Sequence, residues 1–169
     1  MKKLLSMIAA LAIIFIAFAP ACAPKQEELP AGETLTFSAV GVNGAPVQME
    51  DYNEKRVVMV NFWETWCNPC MSEMPALQKL YEEFESRGFT LIGVYSSSEE
   101  TDVTAAVNKL GITYPVIPLS PEFEPYQSEY VPTTVFFDGS GRLLLEEPII
   151  GARSLPQWEQ IVTELLNAN

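Results

Sequence analysis

A Cys-x-x-Cys motif lies where a predicted strand meets a predicted helix, in the stretch Trp66-Cys67-Asn68-Pro69-Cys70. The largely apolar run over 57–63 that precedes it is typical of a buried strand. After the motif, apolar residues recur at three- and four-residue steps from Met71 to Phe84, which predicts an amphipathic helix. The sequence therefore places two thiols at the N-terminus of a helix, directly after a strand.

This position favours redox chemistry of the two cysteines. Unpaired backbone N–H groups and the helix dipole favour a negative charge there, which lowers the pKa of the Cys67 thiol. A thiolate is the species that attacks disulfides, and Cys70 is near enough to resolve the mixed disulfide that forms. We therefore predict dithiol-disulfide exchange.

The motif also has four alternative interpretations, which remain open. A zinc site needs about four ligands, whereas the chain has three cysteines and no histidine. Covalent haem attachment needs a histidine where Met71 stands. A purely structural disulfide would close a very short loop and would constrain the unfolded chain little, and two inert buried thiols are the last alternative. We expect neither a metal nor a cofactor.

The N-terminal segment has the character of an export signal. Lys2 and Lys3 are followed by an uncharged, apolar stretch over 4–19. The predicted organisation is a signal peptide over 1–21, a tether over 22–33 and one domain over 34–169. The net charge of -12 excludes nucleic-acid binding through phosphates.

Cys22 is a candidate lipidation site. The sequence Ala19-Pro20-Ala21-Cys22 resembles the end of a bacterial lipoprotein signal, although Ala19 stands where an aliphatic residue such as Leu is usual. The alternatives are ordinary cleavage that leaves Cys22 as a spare thiol, or retention of the apolar segment as an anchor. We expect an extracytoplasmic protein held to the cell membrane by an N-terminal lipid, with a secreted or soluble periplasmic protein as the alternative.

The remaining elements follow from the same periodicities. An N-terminal hairpin is predicted over 34–49, because Asn43-Gly44 is a strong turn signal between two strand patterns. Strands are predicted over 57–63, 89–95, 112–117, 133–137 and 143–145, and helices from about 68, from capping residues at 98–101, and from about 154. A hairpin turn is expected at 138–141. This order favours an α/β fold with a mixed sheet and helices on both faces.

Four stretches resemble the TlpA/ResA-like thiol-disulfide oxidoreductases of the thioredoxin fold. They are Val60-Asn61-Phe62-Trp63, then 65–70, Glu73-Met74-Pro75 and Val131-Pro132-Thr133. The resemblance covers about 34–166 and implies a thioredoxin-like mixed sheet flanked by helices, with the N-terminal β-hairpin as an extension. It also implies a cis Val131–Pro132 bond facing the cysteines, with Cys67 as nucleophile and Cys70 as resolving thiol.

Glu73 is the third candidate catalytic residue. It shares a helix face with Cys70 and Leu77, so we expect it to point toward the sheet. An apolar setting would raise its pKa and let it accept the proton of Cys70, the role that the resemblance also implies. The alternative is a surface glutamate in a first helical turn, stabilised by the dipole.

Candidate substrate contacts surround the motif and the proline loop. They are Trp66, Asn68, Pro69, Val131 and Pro132, although tryptophans such as Trp66 more often serve packing. Asn68 is expected to tune the thiolate through its dipole. Glu64 departs from the small, neutral residue of similar proteins, and its carboxylate would raise the pKa of Cys67 unless it points into solvent.

The preferred function is an extracytoplasmic reductase acting on protein disulfides. The resemblance implies a membrane electron donor of the CcdA or DsbD type and cytochrome c maturation as one use, and we expect a monomer. A disulfide oxidase is less favoured because the motif lacks a histidine. A thiol peroxidase is disfavoured because Pro-x-x-x-Thr-x-x-Cys is absent around Cys67. A binding lipoprotein with a structural Cys-x-x-Cys is the remaining alternative.

Overall fold

The computed structural model describes residues 29–30, 32 and 34–169. The predicted signal peptide over 1–21 and the lipidation of Cys22 lie outside the described residues, as does most of the predicted tether over 22–33. Within the part of the chain that is described, no helix is both long enough and apolar enough to cross a membrane.

Two sheets and three α-helices make up the fold of the described residues. The predicted hairpin forms a separate antiparallel sheet of β1 (Ser38–Val40) and β2 (Pro46–Gln48). The other elements are β3 (Val57–Phe62), α1 (Asn68–Phe84), β4 (Phe89–Tyr95), α2 (Glu100–Leu110), β5 (Val116–Pro118), β6 (Thr133–Phe137), β7 (Ile149–Ile150) and α3 (Leu155–Ala168). Three short 3-10 helices span Met49–Tyr52, Glu85–Arg87 and Glu124–Tyr126. The α/β class and the hairpin extension are confirmed.

The five-stranded sheet has the order β5-β4-β3-β6-β7, with β3 at its centre. β3 pairs in parallel with β4 and antiparallel with β6, and every residue of these three strands is buried. Phe62, the last residue of β3, lies opposite Thr133, the first residue of β6. This register brings the chain that follows β3 beside the chain that precedes β6, which is where the cysteine motif and Pro132 lie.

All three α-helices contribute to the core on one face of the sheet. Leu77, Val103 and Trp158, one from each helix, belong to the same buried cluster as Met59 of β3. The alternate β3 residues face a second cluster, which is covered by the hairpin and by the 3-10 helices at 49–52 and 124–126. The sequence predicted helices on both faces, whereas in the described part of the chain all three α-helices pack on one face and only 3-10 helices lie on the other. Because β3-α1-β4 and β4-α2-β5 step across the sheet in the same direction, right-handed crossovers place α1 and α2 on the same face.

The predicted hairpin after β6 is only partly formed. Leu143 makes an isolated bridge to Phe137, and the strand expected over 143–145 does not continue. The ladder on this side of β6 is completed instead by β7. The stretch Glu146-Glu147-Pro148 explains the break, because two charges and a residue without an N–H donor disfavour a continuous strand.

Candidate active site

Cys67 occupies the position immediately before α1 and caps that helix. Its sulfur accepts a hydrogen bond from the Cys70 N–H at 3.2 Å. Pro69 lies in the first turn, where the missing N–H of proline costs no helical hydrogen bond. A negative charge on Cys67 would therefore meet both a direct donor and the positive end of the helix dipole.

Cys67 and Cys70 form a disulfide, and both are largely buried. Cys67 is 5% exposed and Cys70 is 1% exposed. Cys67 therefore lies nearer the surface than Cys70. The difference in exposed fraction is small, because Cys67 is itself largely buried. Access to the sulfur of Cys67 depends on the residues around it.

The loop before β6 lies directly against Cys67. The Val131–Pro132 peptide bond is cis, as the resemblance implied, and the Val131 carbonyl oxygen is 3.5 Å from the Cys67 sulfur. Hydrogen bonds that hold this loop include one from the Thr133 hydroxyl to the Tyr130 carbonyl at 2.6 Å and one from the Tyr130 N–H to the Ser128 hydroxyl at 3.0 Å. The backbone carbonyl of residue 131 is thus fixed beside the sulfur.

An exposed rim lies around the disulfide. Trp66 is 65% exposed, so packing does not explain this tryptophan, whereas Trp63 is 1% exposed and does serve packing. Asn68 and Pro69 are also exposed, Val131 is half-buried and Pro132 is buried. Tyr130, next to Val131, is 62% exposed and was not among the predicted contacts. These side chains form the surface that a polypeptide would meet on approaching Cys67.

Glu73 is buried, as its helix face predicted, and is only 4% exposed. Its Oε1 accepts hydrogen bonds from the backbone N–H of Arg153 at 2.6 Å and from the indole N–H of Trp158 at 2.8 Å. Burial raises the pKa of Glu73 above its ordinary value, and these hydrogen bonds offset only part of that effect. The alternative of a surface glutamate is wrong for this residue.

The second oxygen of Glu73 is the unusual one. Oε2 is buried and has no hydrogen-bond partner. The Asn61 amide, which donates one hydrogen bond to the Thr134 hydroxyl at 3.0 Å, also weakly favours the charged form of the carboxyl. The buried Tyr114 is near enough for Glu73 to raise its pKa further, after burial itself. A buried carboxyl with one open oxygen can take up and release a proton.

Glu64 is buried as well, at 2% exposed, so the alternative that it points into solvent is wrong. Its two oxygens accept hydrogen bonds from Ser96, Ser97 and Ser98, at the end of β4. Burial raises the pKa of Glu64, but the hydrogen bonds from these serines outweigh burial and hold it below the ordinary value. The Ser98 hydroxyl is therefore engaged with Glu64, and Glu99 precedes α2 without a side-chain cap.

Comparison with known proteins places the chain in a family. The sequence model of the AhpC/TSA family matches residues 30–143. The chain belongs to the AhpC/TSA family. Among its relatives, the thiol-disulfide oxidoreductase ResA of Oceanobacillus iheyensis is 34% identical over 127 residues, covering 73% of this chain and 64% of the relative. ResA of Bacillus thuringiensis strain Al Hakam is 30% identical over 141 residues, covering 81% of this chain and 79% of the relative.

Solved structures agree with this assignment of the fold. A thiol:disulfide interchange protein of the thioredoxin family from Chlorobium tepidum aligns with a TM-score of 0.71 at 30% identity, covering 85% of this chain and 99% of that one. StoA from Bacillus subtilis aligns with a TM-score of 0.64 at 22% identity, covering 79% and 99% of the two chains, which shows the fold alone. The chain is thus a thioredoxin-fold member of a family whose ResA-named relatives are thiol-disulfide oxidoreductases.

Proposed function

We propose that this protein reduces disulfides in polypeptide substrates outside the cytoplasm. The observation that carries the proposal is the arrangement around the motif: a disulfide at the start of α1, an exposed rim beside Cys67, and the buried carboxyl of Glu73 one turn beyond Cys70. A brace would need neither the rim nor the buried acid. The names of the ResA relatives support the same chemistry.

The reaction begins with the reduced dithiol. The Cys67 thiolate attacks one sulfur of the substrate disulfide, that S–S bond breaks, and the other substrate sulfur leaves as a thiolate. The Cys70 thiol then passes its proton to Glu73 and attacks the Cys67 sulfur. The second substrate thiol is released as the Cys67–Cys70 disulfide forms, so one electron pair has passed from the protein to the substrate. Protons from Glu73 and solvent restore the substrate thiols.

Two features favour reduction over oxidation. The motif holds no histidine to stabilise the Cys67 thiolate. The lowered pKa of Glu64 keeps a carboxylate three residues before Cys67, and a negative charge near a thiol disfavours its thiolate and gives a more reducing couple. A reductase outside the cytoplasm needs its electrons resupplied, and we propose a membrane donor of the CcdA or DsbD type.

The cellular setting completes the proposal. Acylation at Cys22 would hold a monomeric domain at the membrane, within reach of such a donor. Apocytochrome c is a suitable substrate, because its haem-attachment cysteines must be reduced before haem is joined to them.

Insulin reduction with dithiothreitol tests the activity, and the reduction potential tests its direction. We expect catalysis by the wild-type protein and none by Cys67→Ser. Equilibration in glutathione or dithiothreitol buffers should place the couple nearer the roughly -270 mV of thioredoxin than the roughly -120 mV of a strong oxidant. A protein without catalysis would be a braced binding protein, and a potential near the upper value would make it an oxidase.

A further inference from the structure

The carboxylate of Glu64 accepts hydrogen bonds from three consecutive serines. Oε1 accepts the Ser96 N–H at 2.8 Å, the Ser96 hydroxyl at 2.7 Å and the Ser97 N–H at 2.9 Å. Oε2 accepts the N–H of Ser98 at 2.8 Å and also its hydroxyl. We call Glu64 with Ser96, Ser97 and Ser98 the Glu64 clasp. Successive backbone N–H groups of this kind form an anion-binding concavity, and here the protein's own carboxylate fills it.

The Glu64 clasp requires a carboxylate and not merely a polar side chain. All five bonds run toward Glu64, with backbone and hydroxyl donors on both oxygens. A glutamine would turn an NH₂ group toward donors at one of the two positions, and a buried donor that faces another donor loses its hydrogen bond. Glu64→Gln should therefore open one side of the clasp.

The clasp also contacts Trp66 of the rim on one side of Cys67 and Gln127, which lies ahead of the proline loop, on the other. The Ser97 hydroxyl accepts the indole N–H of Trp66 at 3.1 Å. The Ser98 hydroxyl accepts the backbone N–H of Thr65 at 2.9 Å. The Gln127 amide donates to the Ser96 hydroxyl at 3.3 Å, and Gln127 begins the segment that leads to the cis proline. Through its serines, one buried carboxylate thus links the segment before Cys67 to the chain that leads into the proline loop.

We propose that Glu64 is a positioning residue that fixes the Trp66 side of the rim and thereby sets how tightly a substrate polypeptide binds. Glu64 acts through Ser97, whose hydroxyl holds the exposed indole of Trp66 in place beside Cys67. The inference rests on the proposed reductase function. It assigns to Glu64 an effect on substrate binding in addition to the effect of its charge on the Cys67 thiol.

The indole N–H groups provide a direct test, because each of the three tryptophans has a different environment. Trp66 donates to Ser97, Trp158 donates to Glu73, and the buried Trp63 indole N–H has no partner. In a ¹H-¹⁵N spectrum of the full chain, Trp66→Phe assigns the Trp66 signal. We expect that signal to shift in both Glu64→Gln and Ser97→Ala, while the Trp158 signal stays in place. An unmoved Trp66 signal in either variant overturns the proposal, whether or not the protein reduces insulin.

Steady-state kinetics tests the consequence for binding. Ser97→Ala leaves Glu64 and its charge in place and removes only the acceptor of Trp66, so it covers the case in which Glu64→Gln folds poorly. We expect KM for insulin to rise about three- to tenfold in Ser97→Ala, as loss of one neutral hydrogen bond would give, with kcat nearly unchanged. The exposed Glu54, at the opposite end of β3, supplies the matched control Glu54→Gln, which removes one charge without touching the clasp.

A double-mutant cycle separates positioning from charge. If Glu64 acts through Ser97, the double variant Glu64→Gln/Ser97→Ala should raise KM no more than Glu64→Gln alone. Additive effects on KM, or an unchanged KM in Ser97→Ala alongside an active wild type, would overturn the inference and leave the proposed function standing. An inactive wild type would instead refute the proposed function.

Discussion

Replacing Glu73 with glutamine should slow disulfide exchange while preserving the fold. The amide oxygen can keep both hydrogen bonds that Oε1 accepts, from the Arg153 N–H and the Trp158 indole. The amide cannot take up the proton that Cys70 loses. Removal of a general base typically costs about a hundredfold or more in rate, which is about 2.7 kcal/mol in the barrier. We expect this loss in the resolution step and not in the first attack by Cys67.

The effect on stability should be smaller and should depend on pH. The new NH₂ group would lie where Oε2 has no partner, at a cost of about 1–3 kcal/mol, offset because a carboxylate is no longer buried. Because the folded pKa of Glu73 lies above its unfolded value of 4.5, its contribution is complete below that value and is lost as pH rises through the folded pKa. Glu73→Gln should lack this component of the pH dependence.

Two measurements check this prediction. Alkylation of Cys67 and Cys70 as a function of pH reports the thiol titrations, and stopped-flow exchange with a disulfide peptide separates attack from resolution. Glu83→Gln is the matched control, since Glu83 is an exposed glutamate on the same helix. Unchanged thiol titration and unchanged resolution in Glu73→Gln, with only a small drop in melting temperature, would refute the proton-transfer role. Glu73 would then serve only to join α1 to α3.

Three further predictions concern other parts of the chain. The intact mass of the native protein should show a chain that begins at acylated Cys22; an unmodified N-terminus after residue 21, or a retained leader, would exclude lipidation. Gly141→Ala should lower the melting temperature far more than Gly44→Ala. Both glycines have a positive φ, but of the two only Gly141 would place a Cβ against backbone, 2.1 Å from the Leu35 carbonyl oxygen. Equal effects of the two substitutions would contradict this. Glu64 should stabilise the fold above its ordinary pKa of 4.5, and acid titration should remove that contribution as pH falls through its lowered folded pKa, a component that is missing in Glu64→Gln.

Local sequence patterns predicted the elements that carry the cysteines. The apolar run over 57–63 matches β3, and the three- and four-residue periodicity after the motif matches α1. The same periodicity placed Glu73 on the buried face, because the apolar residues that mark the buried face of a helix recur at three- and four-residue steps along that helix. The cis proline was identified from resemblance and not from spacing.

Contacts between distant segments could not be predicted in the same way. Glu64 and Ser96 are 32 residues apart, and Glu73 and Arg153 are 80 residues apart. A single sequence carries no periodicity that pairs such residues, so the serines that hold Glu64 and the donors to Glu73 emerge only from the fold. The run Ser96-Ser97-Ser98 directly after a buried strand was the one available signal, whereas the sequence pattern predicted Ser98 only as a helix-capping residue. Three consecutive serines follow the buried β4, and the acid Glu64 follows the buried β3. Together they would have suggested a contact between the carboxylate and the serines.

The assignment of Cys67 as nucleophile and Cys70 as resolving thiol can be tested by trapping. Each cysteine is replaced by serine in turn, and each reduced variant is mixed with a disulfide-bonded polypeptide. The capping position and larger exposed fraction of Cys67 predict a stable mixed disulfide on Cys67 in Cys70→Ser, and little or none in Cys67→Ser. Non-reducing mass spectrometry identifies the bonded cysteine. Equal trapping by both variants, or trapping by Cys67→Ser alone, would contradict the account.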